Sequence, residues 1–344
     1  MKVLVTGAFG SVGMSTCRAL IEAGHSVRAF DINTGKNRKK ARKFGKSLEV
    51  RYGSILNIGD VRSAAEGVEG VIHLAALIPP FAEKYPRLAE YVNVDGTNNL
   101  IYACMRQNPS PKLIFTSSIA VYGDRLADPL IRLTEAVNPN PEDIYAQQKI
   151  SCEELIRKSS LDWVIFRCTY IVDIHHLKLD PLMFEMPLNT ALEICDTRDI
   201  GLALSRAVTL KSLNHTILPL AGGRLCRVAY KDYLAKMFSF FGLGEKILPE
   251  KAFSSGCFHC GYMETGEVQK LLDYQRHTLL DVYREVKKKY SFQRWFYRFF
   301  RKFAVKALLL KSPYYFQYLQ ERFGKTLSKG IIALRFLFSI RRYQ

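Results

Sequence analysis

Residues 3–13 constrain this chain more than any other stretch. A short apolar run, Val3-Leu4-Val5, feeds into Thr6-Gly7-Ala8-Phe9-Gly10-Ser11-Val12-Gly13, and a helical pattern follows from Ser11 to Ala23. Three glycines at this spacing have separate duties. One makes the tight turn, one lets the backbone approach a pyrophosphate, and one permits close helix–sheet packing. The helix N-terminus then points its positive dipole end at the phosphates. A second strand, Ser26 to Phe30, ends at Asp31. A carboxylate there accepts hydrogen bonds from the adenosine ribose hydroxyls and repels a 2′-phosphate, so the pattern predicts NAD. The bland alternative is a glycine turn with no ligand. The basic run Lys36 to Lys46 keeps NADP as a second reading, with Lys36 or Arg38 reaching a 2′-phosphate. A solvated helix face is the favoured reading of that run, because Asp31 lies closer to the ribose.

The same alternation continues. Leu48 to Tyr52, Gly70 to Leu74, Leu113 to Thr116 and Trp163 to Arg167 read as strands, with helical stretches near 58–67, 84–107 and 142–159. Gly35 to Phe44 reads as a basic helix. Strands alternating with helices, apolar on both faces, predict an α/β fold with a Rossmann-type doubly wound parallel sheet of about seven strands. After Arg167 the pattern loosens into a loop, Asp173 to Leu188. A strand at Ala191 to Cys195, a helix from Asp199 to Val208, a strand at Asn214 to Leu220 and a helix from Lys231 to Phe241 follow. The expected organisation is a Rossmann domain over 1–170, with its sheet completed by parts of 190–220. A small C-terminal substrate lobe over 171–289 and a basic helical tail over 290–344 follow it.

Two segments carry chemistry. Phe115-Thr116-Ser117-Ser118-Ile119-Ala120-Val121-Tyr122-Gly123 ends the fifth strand, where ligands of open α/β sheets bind. Tyr145 and Lys149 stand four residues apart, on one face of a helix. A phenol is a poor base at neutral pH, and a neighbouring ammonium stabilises its phenolate, so the pair suits proton exchange with an alcohol.

With these segments the chain resembles the extended short-chain dehydrogenase/reductase superfamily, in particular the NAD-dependent epimerase/dehydratase family. The resemblance covers about residues 1–285. It rests on the glycine motif, His73-Leu74-Ala75-Ala76, Asn93-Val94-Asp95-Gly96-Thr97, the Ser118 segment, Tyr145 with Lys149, Arg167, and Cys195-Asp196-Thr197-Arg198-Asp199-Ile200. It implies that Tyr145 exchanges a proton with the substrate hydroxyl or carbonyl. Lys149 then holds the nicotinamide ribose and tunes Tyr145, and Ser118 hydrogen-bonds the reacting oxygen. It implies a cofactor pocket in which Ser11 and Val12 line the pyrophosphate, Leu74, Ala75 and Ala76 meet adenosine and ribose, and Asn93, Thr116 and Arg167 complete the contacts. A homodimer through the 84–107 and 142–159 helices is also implied.

Three departures bear on the substrate. Gly53 is followed by Ser54 and Ile55 where the family places an acid, which leaves the adenine contact weaker or shifted to the backbone. Arg167-Cys168-Thr169-Tyr170-Ile171 lacks the asparagine that nucleotide-sugar enzymes carry there, and Asp173 to Glu193 is short for gripping a nucleoside diphosphate. The expected activity is therefore oxidoreduction or epimerisation at a hydroxyl or ketone, favouring a hydrophobic, steroid- or lipid-like alcohol. A nucleotide-sugar epimerase or dehydratase is the runner-up. A non-catalytic NAD-binding scaffold at a membrane is the reading from another class, and the intact Tyr145 and Lys149 oppose it.

Charge separates the tail from the body. The 344 residues carry 50 Lys and Arg against 32 Asp and Glu, a net +18. Residues 290–344 hold 12 basic residues and one acid, Glu321, together with 16 of the 41 aromatics. Read as one helix, Arg294 to Leu310 sets Phe296, Phe299, Phe300, Phe303, Ala307 and Leu310 opposite Arg294, Arg298, Arg301, Lys302 and Lys306. Trp295 falls at the border. That suits a helix lying in an anionic membrane interface. Ile331, Ile332, Leu334, Phe336, Leu337 and Phe338, with Arg335, Arg341 and Arg342, form a second candidate anchor. Packing on the body or a partner subunit is the competing reading, and nucleic acid fits least. Eight scattered cysteines suit a reducing cytoplasm, and neither a signal peptide nor a membrane span is expected. The expected location is cytoplasmic, peripheral on the membrane face if the tail binds lipid. Cys257-Phe-His-Cys260 reads as free thiols in a loop rather than a metal site, and His175-His176 as a surface loop of the substrate region.

Overall fold

The computed structural model describes residues 1–177, 181–245 and 248–322. The first half runs β1 (Lys2–Thr6), α1 (Ser11–Glu22), β2 (Ser26–Asp31), α2 (Gly35–Ala41), β3 (Leu48–Tyr52), α3 (Ile58–Ala65), β4 (Gly70–His73), α4 (Phe81–Lys84), α5 (Pro86–Glu90), α6 (Gly96–Met105), β5 (Lys112–Ser118), β6 (Leu130–Ile131), α7 (Ile144–Lys158) and β7 (Trp163–Cys168). Then come β8 (Tyr170–Val172), β9 (Ala191–Asp196), α8 (Thr197–Ala207), β10 (Thr216–Leu220), β11 (Arg227–Ala229), α9 (Tyr230–Phe240), β12 (Tyr262–Met263), α10 (Gly266–Leu272), α11 (Leu279–Lys289), α12 (Ser291–Phe299) and α13 (Arg301–Leu309).

Seven strands form one parallel sheet in the order β3-β2-β1-β4-β5-β7-β10. Alternate side chains divide it between two cores. Val3, Val5, Ile72, Ile114 and Phe166 point at α1 and α8, whereas Leu4, Val71, Leu113, Phe115 and Ile165 point at α3, α6 and α7. Both faces are thus covered, which is why these strands are apolar throughout. The fold class is the expected Rossmann-type doubly wound sheet. Where α1 crosses α8, a Cβ on Gly201 would lie 2.6 Å from the Ser15 carbonyl carbon.

Three local expectations need correction. The single helical stretch over 84–107 is three segments: Pro86 starts α5, and a π-type turn at Tyr91–Asp95 precedes α6. The basic helix over 35–44 ends at Ala41 and passes into a 3₁₀ turn with Gly45 at φ +56°. The tail helix from Arg294 to Leu310 bends at Phe300 (φ −96°, ψ 17°), dividing α12 from α13. The bend breaks the continuous aromatic face expected there. The second candidate anchor, Ile331 to Arg342, lies outside the described residues.

Beyond the sheet, β8, β9 and β11 form a three-stranded sheet, and β12 pairs with β6. Phe184, Ile194, Tyr230, Tyr233, Phe238, Phe253, Val282 and Val286 pack into a separate core there. Its buried anion is Glu193, which accepts from Gly223 N (2.8 Å), Met263 N (3.0 Å) and Arg227 Nε (2.9 Å). The tail is tied to this core by buried Leu308 and by the Ser312 hydroxyl, which donates to the Ala252 carbonyl at 2.5 Å.

Gly201→Val should destabilise the chain by about 1–3 kcal/mol, because overpacking forces α1 and α8 apart. Thermal unfolding measures it, and an unchanged midpoint would contradict so close a crossing.

Candidate active site

The cofactor end of the site begins at Thr6, the last residue of β1. Its hydroxyl is 2.7 Å from His73 Nδ1 and accepts from Leu74 N and Ala75 N, each at 3.2 Å. His73 Nε2 lies 3.0 Å from the Thr97 hydroxyl on α6. This buried chain seats the 74–76 loop beside the glycine turn. Gly7, at φ +64°, leaves no space for a side chain, since a Cβ would lie 2.8 Å from Ala75 N. At Gly13 a Cβ would be 2.3 Å from the Gly7 carbonyl oxygen, which accounts for close packing of α1 on β1. Gly10 precedes α1 without a capping side chain, and no acid lies in the first turn, so the amides near Ser11 and Val12 are available to an anion.

Asp31 stands at the end of β2. One carboxylate oxygen accepts from Phe9 N at 2.8 Å, the other from Ile32 N (2.8 Å) and Asn37 Nδ2 (3.1 Å). A carboxylate has about four acceptor positions, so one remains for a ribose hydroxyl. Burial raises its pKa, although these bonds and the Lys40 ammonium oppose the rise. Lys40 donates to the Phe9 carbonyl. It, rather than Lys36 or Arg38, is the basic side chain at the turn, while Arg38 is bonded to Asn33 (2.7 Å). Ser54 donates its N–H to Asp60 (2.9 Å), and Ile55 is buried against Gly96. These glycines, free helix amides and the remaining carboxylate position fit an adenine dinucleotide.

The reacting end lies where β5 meets α7. Lys149 is buried, and its ammonium donates to the Thr116 carbonyl at 2.7 Å. That ammonium sits 5.6 Å from the centre of the Tyr145 ring and 4.5 Å from that of Phe115. Burial raises the Tyr145 pKa and lowers that of Lys149. Desolvation, and not the lysine, therefore dominates the phenol. Ser118 lies close enough to Tyr145 to oppose the rise of its pKa. Asp143 caps α7 through Ala146 N (2.9 Å), fixing the turn that carries Tyr145.

Two expected cofactor contacts have other duties. Arg167 is buried, with Nε and Nη2 on Glu153 (3.1 and 2.7 Å) and Nη1 on the Tyr122 hydroxyl (2.8 Å). Three of its donors are thus engaged inside the protein, tying β7 to α7. Asn93 is also buried. It accepts from Leu77 N (2.7 Å) and donates to the Leu77 carbonyl and Gln148 (2.9 and 2.7 Å), bracing the loop after β4. Sequence reading missed Lys40, Gln148 and Glu153. A basic run does not say which lysine turns inward, and the other two sit on a helix whose buried face only packing defines.

Acidic groups gather near Asp143, two residues before Tyr145. Glu83 has its pKa raised by burial and by Asp143 and Glu185, and His259 Nδ1 lies 3.2 Å from Asp143. His175 and His176 lie exposed on a surface loop, as expected. His176 Nδ1 is 2.6 Å from Asp173, which is itself hydrogen-bonded to Ser11, so the pair sits beside the glycine turn. Cys257 is exposed and Cys260 buried.

His73 provides a pH test. Burial, with the Lys149 ammonium adding to it, pulls its pKa down to about 3. Below about pH 6.5 the unfolded chain binds a proton that the folded chain refuses, so stability is lost as pH falls from there towards 3. His73→Gln should flatten the fall of the melting temperature over that range. A slope equal to that of the parent protein would show that His73 is not a buried neutral group.

Residues 4–165 match the 3-beta hydroxysteroid dehydrogenase/isomerase family. D-erythronate dehydrogenase of Haemophilus influenzae is 28% identical over 179 residues, 48% of this chain and 54% of that protein. A 3 beta-hydroxysteroid dehydrogenase/Delta 5→4-isomerase of Mycobacterium tuberculosis is 30% identical over 164 residues, 45% of this chain and 42% of that protein. The chain thus spans about half the length of the curated relatives it matches. A UDP-glucose-4-epimerase from Stenotrophomonas maltophila, solved with NAD and formylated UDP-arabinopyranose, shares the fold with a TM-score of 0.70. That structure is 20% identical, and the match covers 87% of this chain and 99% of that one. Over residues 4–165 the chain is thus similar to the 3-beta hydroxysteroid dehydrogenase/isomerase family, and over most of its length it shares the fold of an NAD-bound epimerase.

Proposed function

We propose that the chain is an NAD-dependent oxidoreductase or epimerase acting at a hydroxyl or ketone carbon. The observation that carries this reading is the grouping of Tyr145, Ser118 and Lys149 at the end of β5, in the sheet whose β1 leads into the glycine turn. NAD, when bound, supplies the hydride acceptor and donor. The glycine turn and the α1 amides hold its pyrophosphate, and Asp31 holds the adenosine ribose. Tyr145 gives or takes the proton at the substrate oxygen, while Ser118 orients that oxygen. Lys149, fixed by the Thr116 carbonyl, places a positive charge next to the phenol and favours the phenolate as the proton moves.

An uncharged, hydrophobic alcohol is the favoured substrate class. Arg167-Cys168-Thr169-Tyr170-Ile171 lacks the asparagine of nucleotide-sugar enzymes, and the segment after it is short for gripping a nucleoside diphosphate. The relatives named above act on a sugar acid or a steroid, or bind a nucleotide sugar, so a nucleotide-sugar epimerase is the second reading. The exposed Leu88, Tyr91, Tyr102 and Met105, on or beside α5 and α6, support a homodimer through that face.

Tyr145→Phe should abolish turnover of any substrate found, by about a hundredfold or more, while NAD binding persists. Retained turnover sinks the catalytic assignment. Mass spectrometry of nucleotide released on denaturation separates the readings. Stoichiometric NAD favours an epimerase, an empty site that binds added NAD favours an exchanging dehydrogenase, and NADP moves attention from Asp31 to Lys40.

A further inference from the structure

The tail leaves its own apex bare. Phe292, Trp295, Phe299 and Phe303 are 84%, 65%, 69% and 76% exposed. The first three stand three and four residues apart on α12, and Trp295 and Phe299 pack edge to face with centroids 4.9 Å apart. Tyr297 and Phe300 add partly exposed rings beside them. Single exposed aromatics need no explanation, but three on one short helix with a fourth just beyond the bend mark a surface that meets something.

This hairpin is held in place from below. A Cβ on Gly242 would lie 2.3 Å from the Arg294 carbonyl oxygen, so the loop after α9 touches the α12 backbone. The far end of α13 is buried through Leu308, and Lys251 lies 4.3 Å from the centre of the Tyr318 ring. A Cβ on Gly244 would lie 2.6 Å from the Arg301 guanidinium, so the bend meets the lobe as well, while the four aromatics stay exposed.

The charges around the apex have one sign. Arg294, Arg298, Arg301, Lys302 and Lys306 are all exposed, and no acidic residue occurs between Glu285 and Glu321. A protein partner would have to present an acidic rim around an apolar centre. An anionic bilayer offers both at once, headgroup charge over hydrocarbon, and Trp, Tyr and Phe partition to that boundary. We infer that α12 and α13 dock this protein on an anionic lipid surface, with Phe292, Trp295, Phe299 and Phe303 inserted below the headgroups. Among the described residues no helix is long and apolar enough to span a bilayer, so the attachment is peripheral. The proposal stands apart from the catalytic reading, because neither Tyr145 nor the glycine turn takes part in it.

Trp295 supplies the readout. The chain has two tryptophans, and Trp163 is buried at 7% exposure in the sheet. Full-length protein is mixed with vesicles of phosphatidylcholine alone or with about one third phosphatidylserine, then floated and followed by tryptophan emission. Flotation with the anionic vesicles, a blue shift of the emission, and release at about 1 M salt are expected. Replacing the four apex aromatics by serine should cut binding by about tenfold or more, and Arg294→Glu with Arg298→Glu should do the same. These side chains are exposed, so circular dichroism and melting should match the parent protein. The proposal is overturned if the full chain stays in the soluble fraction or binds both vesicles alike. Variants that float like the parent, or an unchanged Trp295 emission, also overturn it. A blue shift that grows with protein concentration without vesicles would instead make the apex a contact between copies of the chain.

Discussion

The Glu153 carboxylate decides where the reactive groups stand. It is buried on α7, and it receives both nitrogens of the Arg167 fork and the Ser117 hydroxyl at 2.5 Å. A buried pair of this kind contributes little net stability, since desolvation offsets attraction. Its value is geometric. Two of the strands that α7 packs against hold Glu153 from fixed directions, which sets the rotation of the helix about its axis. Lys149 is one turn earlier and Tyr145 one turn before that, so the same rotation delivers both to the end of β5. Removing one partner would strand a charge in the core, and this typically costs about 3–5 kcal/mol.

Burial also sets the electrostatic state. It pushes the Tyr145 phenol and the Lys149 ammonium away from their charged forms, and it keeps His73 neutral despite its central place in the hydrogen-bond chain. The neutral imidazole between Thr6 and Thr97 keeps β1, the loop after β4 and α6 in register without adding a charge beside Lys149.

The second core follows a different logic. Glu193 gathers Gly223, Arg227 and Met263 around one buried anion, so β9, β11 and β12 converge on it from distant parts of the chain. The tail then adds Leu308 and Ser312 to that lobe and spends nothing on its exposed aromatics. Surface that costs solvation and returns no packing is explained by what it meets outside the chain.

By itself the sequence determined the sheet, the glycine turn and the grouping of Tyr145 with Lys149. Each is written in local periodicity: apolar strands buried on two faces, glycines at a turn that excludes side chains, and two residues one helical turn apart. Tertiary structure alone decided which lysine of the basic run reaches the turn, because Lys36, Arg38 and Lys40 look alike until α2 is placed against β2. It also decided that Arg167 pairs inside with Glu153, a partner 14 residues away on another element. The bend at Phe300 was likewise invisible to a count of 100° per residue. Beyond it, Leu308 is buried in a core that the tail sequence does not contain.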